Sequence, residues 1–420
     1  MVLLPVSPVV LGAAEAPKSI QGLAVSALAE ALLKEDPGAI HIAVAAYHEA
    51  LGNQAGEPEV ADEFQPVPMG ETVLTPQEAK RAFMPYIARL DETRWWKVGV
   101  DPALLTSPLR VPASVISGSV AVVRAKLEGA DRSLAIAKDA ADFLLWAQQQ
   151  AGSGVFPFPA ASGNSKAHTM EAATRFLEKT GKAGQWDRVV RHGWIFDDLG
   201  EGSLQFDNGE CGLALLDLYE VTRDQHYIES VRKSANWAVA QPLCPNWNYN
   251  SFTVRLLAKA WAITRDTNYL NAAIRKAHLG VIPGQLTEGL HVGRWMDPHN
   301  ARPAYHYIML GALAQLYMVM PCDNADRAEV RRSLELGLKT RNEEILSQGV
   351  MNKDKIVESL LLVNQAFSHD DVFLLDTKSK EALHTILVLL SAEMRRGKAP
   401  TSPGSWGHLL EYIVTNPNNS

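Results

Sequence analysis

Cysteine is scarce in this 420-residue chain: Cys211, Cys244 and Cys322 are all there is. They are too few and too far apart for a disulfide framework or a CxxC metal site. No apolar run is long enough to cross a bilayer. An excess of positive charge is also missing. Forty Lys and Arg face 47 Asp and Glu, a net charge of −7. No broad basic field is available for nucleic acid or an anionic membrane, and neither is expected as a partner. GxGxxG and GxxxxGK[ST] are absent, which leaves a nucleotide cofactor without support, and so are HExxH and the EF-hand loop. Alternating β-type stretches are few. What remains is 47% hydrophobic and 21% charged, the composition of a folded globular protein.

The dominant pattern from residue 17 onward is apolar residues at i, i+3, i+4 and i+7, the period of amphipathic helices. The helices fall into pairs: 21–34 with 38–51, 111–127 with 131–150, 208–222 with 225–240, 250–265 with 267–279, 305–319 with 324–343, and 355–368 with 378–395. Weaker helical patterns at 75–89 and 169–180 could supply one more pair. Gln54 to Gly70 and Gly152 to Gly163 read as loops. Residues 1–16 are small and apolar, as the end of a secretory leader would be, but the first basic residue is Lys18, so the charged start of a leader is missing. A periplasmic or secreted protein is the expectation.

Three of the pairs are copies of one unit. Asn208 to Val221 aligns without gaps on Asn250 to Ile263 and on His306 to Val319. In the first two copies a Thr-Arg-Asp turn follows (Thr222 to Asp224, Thr264 to Asp266), then a tyrosine in the same register, Tyr227 and Tyr269. A helical hairpin cannot bury its apolar faces alone and must stack on neighbours. The turns inside hairpins are short. The connections between them, 194–207, 241–249 and 280–304, are long and rich in aromatic and polar residues, and all emerge beside the amino ends of the first helix of each pair. That asymmetry predicts an all-α (α/α)6 or (α/α)7 toroid, an incomplete barrel of hairpins in a single domain over 17–420. Its inner helices would aim their partial positive charge and free N–H groups at one cleft that attracts carboxylates.

The alignment stacks Asn208, Asn250 and His306 in one position, with Asp207, Tyr249 and Tyr305 immediately before them. Asparagine and aspartate serve as N-caps; histidine caps poorly, which favours a functional His306. The loop ahead of it concentrates Glu288, His291, Arg294, Trp295, Asp297, His299, Asn300 and Arg302. A second loop supplies Asn246, Trp247 and Asn248, where a ring could stack on a sugar face or simply pack. β-Elimination on a uronic acid needs a group that neutralises the carboxylate, a base for the C5 proton and an acid for the leaving oxygen. Asn250, His306, Tyr249, Tyr305 and Arg302 include all three, with Asn208, Trp247, Asn248, Arg294, Trp295 and His299 as substrate-binding candidates. A hydrolase would use two carboxyl groups, such as Asp207 with Glu210, Asp198 or Asp297. His291, Asp297, His299 and His306 match no metal-site spacing, and no metal is expected.

The segments from Asn246 to Phe252, Pro283 to Thr287 and Gly293 to His306 resemble those of (α/α)-toroid polysaccharide lyases that act on alginate and glucuronan. The resemblance spans about residues 200 to 320. It implies a lyase without an obligatory organic cofactor, with Asn250 and His306 handling the carboxylate and C5 proton, Tyr305 or Tyr249 as acid, and Arg294 or Arg302 nearby. The last hairpin, near Asn352 to Ser359, offers Lys353, Lys355 and Glu358 but no Arg or Tyr. A glycoside hydrolase on the same toroid and a non-catalytic carbohydrate-binding repeat protein are the alternatives.

Overall fold

The computed structural model describes residues 20–59, 64–92, 109–151, 154–156, 158–159, 194–195, 203–349, 353–368, 377–398 and 402–415. Residues 1–16, the 169–180 helix and Asp198 lie outside them. Among the described residues the chain is helical apart from one antiparallel pair of two-residue strands, β1 (Phe158–Pro159) and β2 (Trp194–Ile195). The helices are α1 (Ile20–Lys34), α2 (Pro37–Leu51), α3 (Pro76–Glu92), α4 (Arg110–Arg124), α5 (Ala130–Ala151), α6 (Ser203–Thr222), α7 (Gln225–Ala240), α8 (Trp247–Thr264), α9 (Thr267–Gly280), α10 (Pro303–Val319), α11 (Arg327–Gln348), α12 (Lys353–Ser368), α13 (Thr377–Arg395) and α14 (Pro403–Thr415).

The short turns are built as the repeat implies. In both Thr-Arg-Asp turns the arginine takes a left-handed conformation, φ 60° at Arg223 and at Arg265. The threonine hydroxyl bonds back to the carbonyl four residues earlier, and the aspartate caps the next helix through His226 N or Asn268 N, each at 3.0 Å. One turn chemistry therefore closes both hairpins.

The hairpins stack into a ring. Helices α4, α6, α8, α10, α12 and α14 each pack on the next, and α14 returns to α4. Outside them lie α5, α7, α9, α11 and α13, each against the inner helix that precedes it in the chain. The sixth outer helix is α3, which packs on α14 from far away in sequence; Phe83 meets Trp406 edge-on at 5.9 Å. The fold is thus an (α/α)6 toroid, and the ring is complete. The α1–α2 pair is not a seventh member: it packs on itself and touches the turn at Ile282–Gly284. Helix α14 is the one the sequence pattern does not announce, because its first turn, Pro403-Gly404-Ser405-Trp406-Gly407, reads as a loop.

Those same glycines close the ring. A Cβ on Gly407 would stand 2.5 Å from Gly118 Cα, and one on Gly118 would stand 2.2 Å from Pro403 O, so α4 and α14 touch backbone to backbone. Ser114 Oγ adds a bond from Gly404 N at 2.9 Å and one with Ser402 Oγ at 2.8 Å. The inner helices bury apolar side chains against both neighbours and the outer layer, Leu310, Leu313 and Leu316 without any exposure. Each such leucine stabilises the fold by roughly 1.5–3 kcal/mol.

Candidate active site at the amino rim

The aligned triplet is equivalent in space and in task, but that task is structural. Asn208 Nδ2 donates to Ser234 O at 3.1 Å, Asn250 Nδ2 to Gly280 O at 2.7 Å, and His306 Nε2 to Gly337 O at 3.0 Å. Each acceptor belongs to the outer partner of that inner helix. These side chains clamp inner to outer layer, and Asn250 and His306 have no exposed surface. Asn250 also donates to Cys244 O at 2.9 Å and accepts from Cys244 N at 3.1 Å. Burial, then the nearby Arg341 guanidinium, holds the His306 imidazole well below its ordinary pKa. It is neutral, and since a carbonyl only accepts, its proton sits on Nε2. The expectation that Asn250 and His306 face an open cleft is corrected: both face the packed seam between layers.

Several binding candidates move with them. Trp247 is fully buried against Gly284, where an added Cβ would come within 2.4 Å of the indole. It packs, as the plain alternative had it, and gives no sugar platform. Trp295 is equally buried, donates to Val281 O at 2.7 Å and meets His306 edge-on. Asn248 bonds Asn246 and Asn300, and Asn300 in turn occupies both oxygens of Asp297. Arg294 ties Gly56 O to Glu344. His291 pairs with Glu57 at 2.7 Å. The loop dense in polar groups is thus largely a folded plug that holds its own backbone and the 55–59 segment.

One residue earlier on each inner helix the direction changes, because successive side chains are about 100° apart around an α-helix. There Asp207, buried, faces Arg110, and Tyr249 and Tyr305 are half-buried. They stand close enough that Tyr305 and Asp207 act electrostatically on the Tyr249 phenol. Burial first, then these neighbours, raises the Tyr249 pKa, with Arg110 opposing. Both tyrosines are half-buried, and among the described residues neither hydroxyl has a hydrogen-bond partner. His299 stacks on Tyr305 with ring centroids 4.3 Å apart, and the Arg302 guanidinium lies 5.3 Å from the same ring. Glu59 steadies both, 3.0 Å from His299 Nδ1 and 3.7 Å from Arg302.

Arg110 and Phe206 complete the rim, and the sequence reading passed over both. Arg110 Nε stands 3.5 Å from Asp207 Oδ1, and its guanidinium lies 4.2 Å from the Phe206 ring centroid. Asp207 is 2% exposed, and its Oδ1 accepts no hydrogen bond. Burial raises the Asp207 carboxyl pKa, Arg110 opposes this, and Glu210 adds to it. Four consecutive inner helices therefore bring a guanidinium, a carboxyl of increased basicity and two phenols to one mouth. The amino ends of the inner helices add partial positive charge at that end of the ring. Among the described residues no three His, Cys, Asp or Glu gather as a metal site.

Beneath the rim the ring encloses a lumen of about 1480 Å³. Glu210, one turn below Asp207, lies 3.6 Å from Lys355; deeper, Asp217 takes Lys259 at 2.5 Å and Arg124 at 3.0 Å. Burial alone would raise the Asp217 pKa, but Lys259 and Arg124 outweigh it and hold the carboxylate well below its usual range. Arg255, with Lys355 and His408, likewise brings Glu358 down to about 2 against burial. Glu411 is the exception, raised by burial.

No protein-family model matches the sequence, and no curated protein does. Solved structures do align with it. A polysaccharide lyase aligns at 13% identity over 82% of this chain and 97% of its own, TM-score 0.48. A family 88 glycosyl hydrolase from Bacteroides vulgatus aligns at 13% identity over 83% of this chain and 100% of its own, TM-score 0.45. A family 76 glycoside hydrolase from a bovine Bacteroides thetaiotaomicron strain gives 13% identity over 76% and 78%, TM-score 0.29. Similarity at this level says nothing of the chemistry; the toroid follows from the chain's own helix contacts. No helix among the described residues is long and apolar enough to cross a membrane.

Proposed function

We propose that the chain is a polysaccharide lyase that cleaves a uronate-containing polysaccharide, of the alginate or glucuronan kind, by β-elimination at the amino rim. The observation that supports this reading is the proximity of Arg110, Asp207, Tyr249 and Tyr305, brought together by four neighbouring helices. Arg110 and Arg302 neutralise the sugar carboxylate, which acidifies the C5 proton. The Asp207 carboxylate, more basic for being buried, takes that proton. The C4–O bond breaks as the C4–C5 double bond forms, and Tyr249, kept protonated by its raised pKa, supplies the proton to the leaving oxygen. Tyr305, stacked on His299 with Arg302 beside its ring, faces the same sugar.

Glycoside hydrolysis is the second reading. It is favoured by Asp207 and Glu210, two carboxyl groups one helical turn apart, of which the first is held toward its acid form by burial. One assay separates the two. Elimination gives new reducing ends together with the ultraviolet absorbance of an unsaturated uronate, whereas hydrolysis gives reducing ends alone. A uronan panel that shows neither signal overturns both readings.

A further inference from the structure

The proposed reaction leaves the lumen below the rim unused. Every inner helix contributes to its wall, and it extends from Ser114 and Glu210 to Arg223 and Thr415 at the far ends of α6 and α14. From Glu210 to Glu220 along α6 the depth is about 15 Å, at 1.5 Å per residue. The wall carries six carboxylates and six lysine and arginine side chains. Most of them pair with each other: Arg124 and Lys259 with Asp217, Arg255 with Glu358 at 2.6 Å, Lys355 with Glu210. A polyanion entering would meet carboxylates at every level, and a polycation would meet guanidinium and ammonium groups. Between the pairs stand uncharged donors and acceptors, among them Ser117, Gln315, Asn364 and Tyr412.

We infer that the lumen is a binding site for a neutral, hydroxyl-rich ligand, a short neutral oligosaccharide, separate in character from the acidic-sugar mouth above it. Sugar hydroxyls both donate and accept, so they suit a wall in which the two kinds of group alternate at near-zero net charge. Glu411 is the carboxyl available to such a ligand. It borders the cavity, and among the described residues its carboxyl has no hydrogen-bond or ion-pair partner. Burial raises its pKa against Arg124 and His408, and its carboxyl oxygens can accept from sugar hydroxyls. The lumen is also long enough for several sugar rings end to end.

The test is calorimetric titration of the full chain with cellotetraose, maltotetraose, mannotetraose and xylotetraose, which needs no turnover. At least one should bind with an affinity unchanged by added salt, since no net charge is involved. Ala262→Phe, which puts a ring into the cavity from α8, and Glu411→Ala should each weaken that binding at least about tenfold. Tyr305→Phe, on the rim, should leave it unchanged. The inference is overturned if none of the four binds, or if binding survives both lumen variants while each unfolds at the wild-type temperature. A failed elimination assay leaves this result untouched, and the reverse also holds.

Discussion

Replacing Asn250 by alanine tests most sharply whether the aligned polar residues clamp the layers or act on substrate. The side chain makes four hydrogen bonds: to Gly280 O at 2.7 Å, to Cys244 O at 2.9 Å, from Cys244 N at 3.1 Å, and a weak one from Cys244 Sγ at 3.4 Å. None of it is exposed. Alanine leaves two carbonyls and an N–H buried without partners, at about 1–2 kcal/mol each, for a total of about 3–6 kcal/mol. Asn250→Asp should be worse, because a carboxylate oxygen would then face the Gly280 and Cys244 carbonyls. Urea unfolding of both variants should show a lower midpoint at unchanged slope. At low temperature, where the fold persists, Asn250→Ala should retain most of any uronan-cleaving rate. Unaltered stability combined with abolished turnover would refute this reasoning and return Asn250 to the reacting centre.

Other substitutions probe the ring and its charges. Gly407→Val forces a branched side chain into the backbone contact with Gly118, and overpacking there should cost about 1–3 kcal/mol or more. Solution scattering should show a larger radius as α14 leaves α4; wild-type stability and radius would mean the ring does not close there. Asp217→Ala leaves Lys259 and Arg124 with Glu220 as their remaining carboxylate and should cost about 1–3 kcal/mol, less than a fully unpaired buried charge would. Because the folded-state pKa of Asp217 is depressed, its contribution exists above about pH 4 and fades as pH falls through the folded value. The gap between variant and wild type should therefore narrow in acid, and a pH-independent gap would count against the pairing. Asp207 has the opposite sign: its raised pKa makes the ionised form costly, so its stabilising effect is present below about pH 4 and lost as pH rises through the folded value. Asp207→Asn cannot ionise and should unfold at a higher temperature than wild type near neutrality, the gap closing toward about pH 4. A constant gap would contradict the raised pKa.

The repeat was readable because the same turn and the same buried positions recur, and the Thr-Arg-Asp turns superpose in conformation as well as sequence. Sequence alignment found that Asn208, Asn250 and His306 are equivalent without saying which way they point. A step of one residue swings a side chain by about 100°, enough to exchange the inter-layer seam for the mouth, and the boundary of an inner helix cannot be set that finely from composition. The charged lumen left a trace that was passed over: Asp217, Arg255 and Lys259 interrupt otherwise apolar helices at intervals that keep to one face. On a helix buried all round, such charges mark an interior polar channel rather than a solvated side. Arg110 and α14 gave no local signal, since one sits at the start of an ordinary helix and the other opens on residues typical of turns. The Asn300–Asp297 and Trp295–Val281 contacts show why a loop crowded with polar and aromatic groups can be a scaffold: much of its hydrogen-bonding capacity is spent within the fold.

The most direct measurement is a crystal structure of the chain with a glucuronate or mannuronate trisaccharide, collected on the Tyr249→Phe variant to slow turnover. Density for a sugar carboxylate against Arg110 or Arg302, with C5 beside Asp207 and the bridging oxygen near residue 249, is the predicted result. A trisaccharide bound away from that mouth, or a rim left vacant at a concentration that saturates cleavage by the wild type, would contradict it.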